Sequence, residues 1–117
     1  MVKKYPYVKE LIKISDGSTN VDVDDDPVPP GRKIVIKHWA AIDETSAFTE
    51  LTLLRKIGKR EHELEEQKSP AANTLYWSTN EYHFTEGEVI STRFTGTTSG
   101  DVLKVYLDGY WIKVEEE

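Results

Sequence analysis

The sequence predicts an all-β chain, an antiparallel β-sandwich preceded by an extended N-terminal arm, and three observations predict it. From Arg32 onward apolar and polar residues mostly alternate, the period-two pattern of strands buried on one face. Gly, Pro, Asp and Ser interrupt that alternation about every 8–12 residues, the spacing of sandwich and barrel strands. The length of 117 residues is enough for one hydrophobic core without disulfide or metal staples.

Each element has its own justification. Tyr7–Ile14 reads as a first strand or an extended arm, though Val8, Leu11 and Ile12 also fit a short helix. Asp16-Gly17-Ser18 then breaks regular structure. Asn20 to Gly31 reads as a loop: an acidic cluster leads into Pro27, Pro29, Pro30 and Gly31, and proline cannot donate to a ladder. Arg32–Ile42 is the strongest strand. Strict alternation puts Ile34, Ile36, Ala40 and Ile42 on one face, with His38 among them, and Val35, Lys37, Trp39 and Ala41 on the other.

After a turn at Asp43–Ser46, Phe48–Ile57 forms the next strand, with Leu51, Leu53 and Ile57 opposite Phe48 and Leu54, and Gly58 ends it. In Lys59–Lys68 only Leu64 is apolar, so no helical stripe exists to bury. That segment reads as a solvated edge strand or hairpin whose charges guard against edge-to-edge pairing. A loop at Ser69–Asn73 precedes Leu75–Phe84, a β segment broken at Ser78-Thr79-Asn80; Glu86-Gly87 then turns tightly into Val89–Phe94. The loop Gly96–Gly100 leads to Val102–Val114, where Asp108-Gly109 signals either a two-residue hairpin or a bulge in one long strand. The chain thus divides into an arm with an acidic, Pro-rich loop (1–31), a sandwich (32–114) and a fraying acidic tail (115–117), all within one domain.

Composition excludes several classes of function. Cysteine is absent, which removes disulfides, zinc–thiolate sites and thiol catalysis. A net charge of -6 argues against nucleic acid as the main partner, since phosphate contacts need clustered cations. The cations gather in Lys3–Lys13 and Arg32–Arg60, and the acids in Asp22–Asp26, Glu61–Glu66 and Glu115–Glu117. Such a mixed surface serves solubility and can also steer docking. No apolar run reaches signal-peptide or membrane-spanning length, so the expectation is a soluble protein made in the cytosol, with no membrane partner.

No constellation identifies a reaction. Asp22–Asp26 fails as an EF-hand loop, because its sixth and twelfth positions are Pro27 and Lys33 rather than Gly and Glu. His38 and His83 belong to no ligand pair and read as buried, hydrogen-bonded strand residues; His62 lies among glutamates and reads as surface. Nucleophile elbows, SxxK motifs and phosphate-binding loops are missing. No enzyme activity, metal or cofactor is expected.

Aromatic density supplies the candidate contacts. Adjacent residues on a strand face opposite ways, so Tyr76-Trp77 and Tyr110-Trp111 each put one ring inward and leave the other free. Trp39, Tyr76, Trp77, Tyr110 and Trp111 are therefore candidate interface or ligand contacts, for a protein partner or, by stacking, a sugar ring. Cross-strand packing within the sheet is the third use open to them. Tyr5, Tyr7 and Val8 are candidate contacts of an assembly arm.

The run Pro29-Pro30-Gly31-Arg32-Lys33-Ile34-Val35-Ile36 resembles a turn that feeds a long strand in small β-sandwich proteins of tailed viruses. Tyr82–Ile90 resembles the hairpin of the same family, and Ser99–Leu103 with Gly109-Tyr110 its terminal strand. The resemblance implies a jelly-roll-like sandwich and a non-enzymatic virion component of the capsid-decoration or head/tail accessory kind. It implies a symmetric homo-oligomer that contacts viral capsid or tail proteins and is synthesised in the host cytoplasm. It also favours the bulge reading at Asp108-Gly109. A carbohydrate-binding module is the alternative that the aromatic pairs support.

Overall fold

The computed structural model describes residues 2–116. Among them nine strands form: β1 (Tyr5–Ile14), β2 (Asn20–Asp24), β3 (Arg32–Asp43), β4 (Glu50–Ile57), β5 (Arg60–Lys68), β6 (Tyr76–Ser78), β7 (Tyr82–Phe84), β8 (Val89–Thr95) and β9 (Val102–Lys113). A short 3-10 turn, Val114–Glu116, follows β9; Glu117 of the acidic tail lies outside the described residues.

Sheet A has the order β1-β9-β3-β6, with β7 also on β3, and sheet B the order β2-β8-β4-β5. All pairings are antiparallel and share one origin. Tyr5 lies opposite Trp111, Asn20 opposite Thr95, Trp39 opposite Ser78, and Leu51 opposite Gln67. The second half of the chain thus runs back along the first as one long hairpin. Its tip is Gly58-Lys59, where Gly58 takes a φ of 57°, a conformation cheap only for glycine. Rolling that hairpin adds the β3–β9 and β4–β8 ladders and closes the sandwich in jelly-roll order.

The core lies between the sheets. Ile34, Ile36, Trp39 and Ala41 of β3 meet Leu103, Val105 and Leu107 of β9 on one side; Val21, Val23, Leu51, Leu53, Ile90 and Phe94 line the other. Trp39 is completely buried, packs edge-on against Tyr82 and Phe84, and donates from Nε1 to Thr92 Oγ1 of sheet B at 2.9 Å.

Three expectations are corrected and one open choice is decided. First, Asn20–Asp24 is a strand, not a loop: Val21 and Val23 point into the core, while Asp22 and Asp24 alternate with them. Acids lower strand propensity, but outward-facing acids with cationic partners do not oppose a strand. Second, of the two readings of the N-terminal segment, the first strand is the one formed: β1 is held to β9 by a ten-residue ladder. Third, the segment resembling a viral hairpin at Tyr82–Ile90 is a crossover, since β7 joins sheet A and β8 joins sheet B.

The fourth point, and the last of the corrections, concerns the phase of β3. Ile36 faces Gly109 and His38 faces Asp108, so Lys37 is one residue too many and the alternation slips there. Trp39 and Ala41 thereby point inward, while Ala40 and Ile42 turn outward. The slip sits where the backbones approach most closely: a Cβ on Gly109 would lie 1.9 Å from Val35 O. β9 is one continuous strand through Asp108-Gly109, without a hairpin, and the extra residue belongs to β3. A similar shift of phase places Phe48, which precedes β4, in the core beside Leu51 and Leu53 instead of opposite them.

Other expectations hold. β5 is an exposed, charged edge strand, and the segment through Leu75–Phe84 is split into β6 and β7. Replacing Gly109 with Ala is expected to destabilise the fold by about 2–4 kcal/mol, because rigid backbone meets the new methyl. Urea unfolding would show this as a lower midpoint at unchanged slope.

Candidate interaction surface

The two outer faces of the sandwich differ in chemistry, and the difference follows from parity along the strands. On sheet B, Asp22 and Asp24 point outward beside Lys56 of β4 and Arg93 of β8. Arg93 Nε and Nη2 donate to Asp22 at 2.7 and 3.0 Å, and Lys56 Nζ reaches Asp22 at 2.8 Å and Asp24 at 3.1 Å. Glu61 of β5 joins at 2.6 Å from Arg93, and Ser91 Oγ donates to Asp24 at 2.5 Å. Burial alone would raise the Asp22 carboxyl, but Arg93 and Lys56 outweigh it and hold the group below the usual carboxylate range. Each pair contributes about 1 kcal/mol or less, yet together they leave this face polar and satisfied. The acidic run is thus a paired strand, and among the described residues no group of three or more His, Asp or Glu could hold a metal.

The outer face of sheet A instead carries exposed apolar side chains among charged ones. On β1 the even positions point outward, leaving Val8, Ile12 and Ile14 exposed at 70, 57 and 64%. The ladders continue this face across the sheet: Ile12 lies beside Lys104 and Ile42, and Glu10 beside Tyr106, Ala40 and Trp77. Trp77 is 65% exposed at the far edge. His38 lies on this face partly exposed instead of buried, and His83 is exposed and bonded to Glu81 at 2.9 Å. His62 is exposed on β5, as expected.

The candidate aromatics separate sharply. Trp39 is core and no contact residue; strict alternation sets it outward, and the slip at Lys37 turns it in. Tyr76 packs half-buried against the core while its neighbour Trp77 faces solvent, the division expected of the pair. Trp111 packs inward, with Tyr5 stacked at 4.2 Å and the Arg32 guanidinium 4.0 Å over the ring. Two groups that close need opposite ring faces, so this indole is occupied by its own chain. Tyr110 is partly exposed on the outer face, with Lys4 4.5 Å from its ring centre.

Of the expected arm contacts, only Val8 is free. Tyr5 stacks on Trp111, and the Tyr7 hydroxyl donates to buried Asp25, whose other oxygen accepts from Lys9 at 2.7 Å. Burial and that carboxylate push the Tyr7 phenol far above its ordinary value, so it remains a donor. A cleft of about 230 Å³ lies beside them, walled by Tyr7, Pro27, Pro29, Arg32 and Trp111. Sequence reasoning missed Ile12, Ile14 and Tyr106. The shared parity of Val8, Ile12 and Ile14 is the available signal, and it stays hidden while β1 is allowed to be an arm.

No family model matches the chain, and no curated protein does. Among solved structures, murine APRIL is 14% identical, with 87% of this chain and 98% of that one covered and a TM-score of 0.51. The Bacillus endospore appendages, a family of disulfide-linked pili, are 8% identical over 96% of this chain and 91% of theirs, at a TM-score of 0.49. A family 29 carbohydrate-binding module is 11% identical over 97% and 81%, at 0.40. At 14% identity the likeness to APRIL is one of fold alone.

The three tryptophans should therefore differ in accessibility. Acrylamide is expected to quench a Trp77 component well before the rest, and Trp77→Phe to remove that component; equal quenching of all three would contradict the placement.

Proposed function

We propose that this chain is a non-enzymatic structural subunit that associates with copies of itself and with the proteins of a larger particle, docking through the outer face of sheet A. The observation that carries this is the row of bare side chains on that face, Val8, Ile12 and Ile14 at one edge and Trp77 at the other. Isolated exposed apolar residues are ordinary, but three of the four outward positions from Val8 to Ile14 on one edge strand are apolar, interrupted by Glu10, and they lie beside unpaired backbone. The contrast with sheet B, whose outer face is closed by ion pairs, gives the molecule one adhesive side.

The resemblance of the Pro29–Ile36 turn to small sandwich proteins of tailed viruses supports a virion as the setting, with capsid or tail proteins as partners. Sedimentation equilibrium of the purified chain is expected to show concentration-dependent association, weakened at least about tenfold by Ile12→Glu, a change worth about 1.4 kcal/mol or more. Glu63→Lys on β5 should leave association unchanged. A chain that stays monomeric at high concentration and does not co-sediment with particles overturns the reading.

A second reading, a carbohydrate-binding module, is favoured by one observation: Trp77 presents a bare indole on the same face as Tyr106, two strands away. A glycan panel followed by tryptophan emission tests it. The expected signature is a shift lost in Trp77→Ala, and a flat response across the panel removes it.

A further inference from the structure

At the end of the sandwich where β3 finishes and β9 begins, two aspartates are buried side by side. Asp43 has no exposed surface and Asp101 has 3%. Asp43 Oδ1 accepts from the amides of Thr45 and Ser46 at 3.0 and 3.1 Å. Asp101 Oδ1 accepts from Ser46 Oγ at 3.1 Å and its Oδ2 from the Thr98 amide at 3.2 Å. Asp43 Oδ2 is buried without a donor, and the Asp101 carboxyl lies within hydrogen-bond reach of Asp43, with Ser46 bonded to both side chains. With both groups ionised, two acceptors would oppose each other in a dry site, which costs far more than in water.

We propose that Asp43 and Asp101 share one proton, and that this proton locks the loops at this end of the sandwich, so that the end tightens on acidification. A proton on Asp43 Oδ2, donated to Asp101, gives every oxygen of the pair a partner. The pair also gathers four connections. The Ser15 amide from the β1–β2 loop donates to Asp101 O at 2.8 Å, and the Asn73 amide from the β5–β6 loop donates to Asp43 O at 2.8 Å. Ser15 and Thr97 hydroxyls meet at 2.7 Å beside them. Asp43 is the last residue of β3, where the β3–β4 loop starts, and Asp101 ends the β8–β9 loop.

The neighbouring charges are engaged elsewhere. Glu44 and Lys104 pair with each other at 2.6 Å, and exposed Asp16 caps the Ser18 amide at 2.9 Å. Burial, then the hydrogen bond to Asp101, raises the Asp43 carboxyl above its ordinary value. A carboxyl raised on folding contributes stability that is present below its unfolded value and lost as pH climbs through its folded one. This is the reverse of Asp22 on sheet B.

Asp43→Asn tests the lock, because an amide nitrogen at the Oδ2 position donates permanently. From about pH 4 to about pH 8, the melting temperature of D43N relative to the parent is expected to rise by about 3–6 °C. A constant difference across that range overturns the proposal. So does calcium raising the parent's melting temperature at neutral pH but not that of D43N, since the pair would then hold a cation. Should D43N fail to fold, carbon-detected titration of the parent decides between the outcomes. An Asp43 midpoint above the unperturbed value of about 3.9 supports the shared proton, and one at or below it refutes it.

Discussion

The two sheets stay in register because one side chain belongs to both. Trp39 grows from β3 in sheet A, lays its ring against Tyr82 and Phe84, and ends in a hydrogen bond to Thr92 in sheet B. Truncating a buried aromatic of this size typically costs about 3–5 kcal/mol, a large share of the about 5–15 kcal/mol that holds a domain together. Its inward aim depends in turn on the extra residue Lys37, which depends on Gly109 letting the β3 backbone close in. A side chain, a bulge and a missing methyl therefore form one chain of cause.

That same chain of cause marks how far the sequence could be read. Alternation revealed the strands because period two is written into every half-buried segment, and β5 was legible as an edge because its charges leave nothing to bury. Face assignment in β3 failed because a one-residue slip reverses every side chain beyond it, and its cause lies on β9, some seventy positions further along. β2 was lost to its aspartates, whose partners Lys56 and Arg93 come from two other strands. The exposed apolar positions of β1 are hidden in the sequence for a related reason. Val8, Ile12 and Ile14 share a side only once β1 is known to be extended, and the ladder that extends it is made with the far end of the chain.

Burial also separates residues that composition groups together. Seven aromatics look equally available in the sequence, yet Trp39 and Trp111 are taken up by the protein itself and Trp77 is left bare. The aspartates divide in the same way. Asp22 is held ionised by two cations, while burial and the neighbouring Asp101 carboxyl push Asp43 above its ordinary value against the pull of two amides. Local sequence does not distinguish them; what each strand brings alongside does.

The rolled hairpin has a consequence for how the molecule is made. During translation β1 leaves the ribosome first among the strands, and its partner β9 leaves last. Until then β1 has nothing to pair with, and non-local pairing of this kind is slow to form. A nascent chain must therefore carry β1 unpaired while β2 to β8 are made, a period in which chaperones or neighbouring nascent chains can cover its apolar side chains.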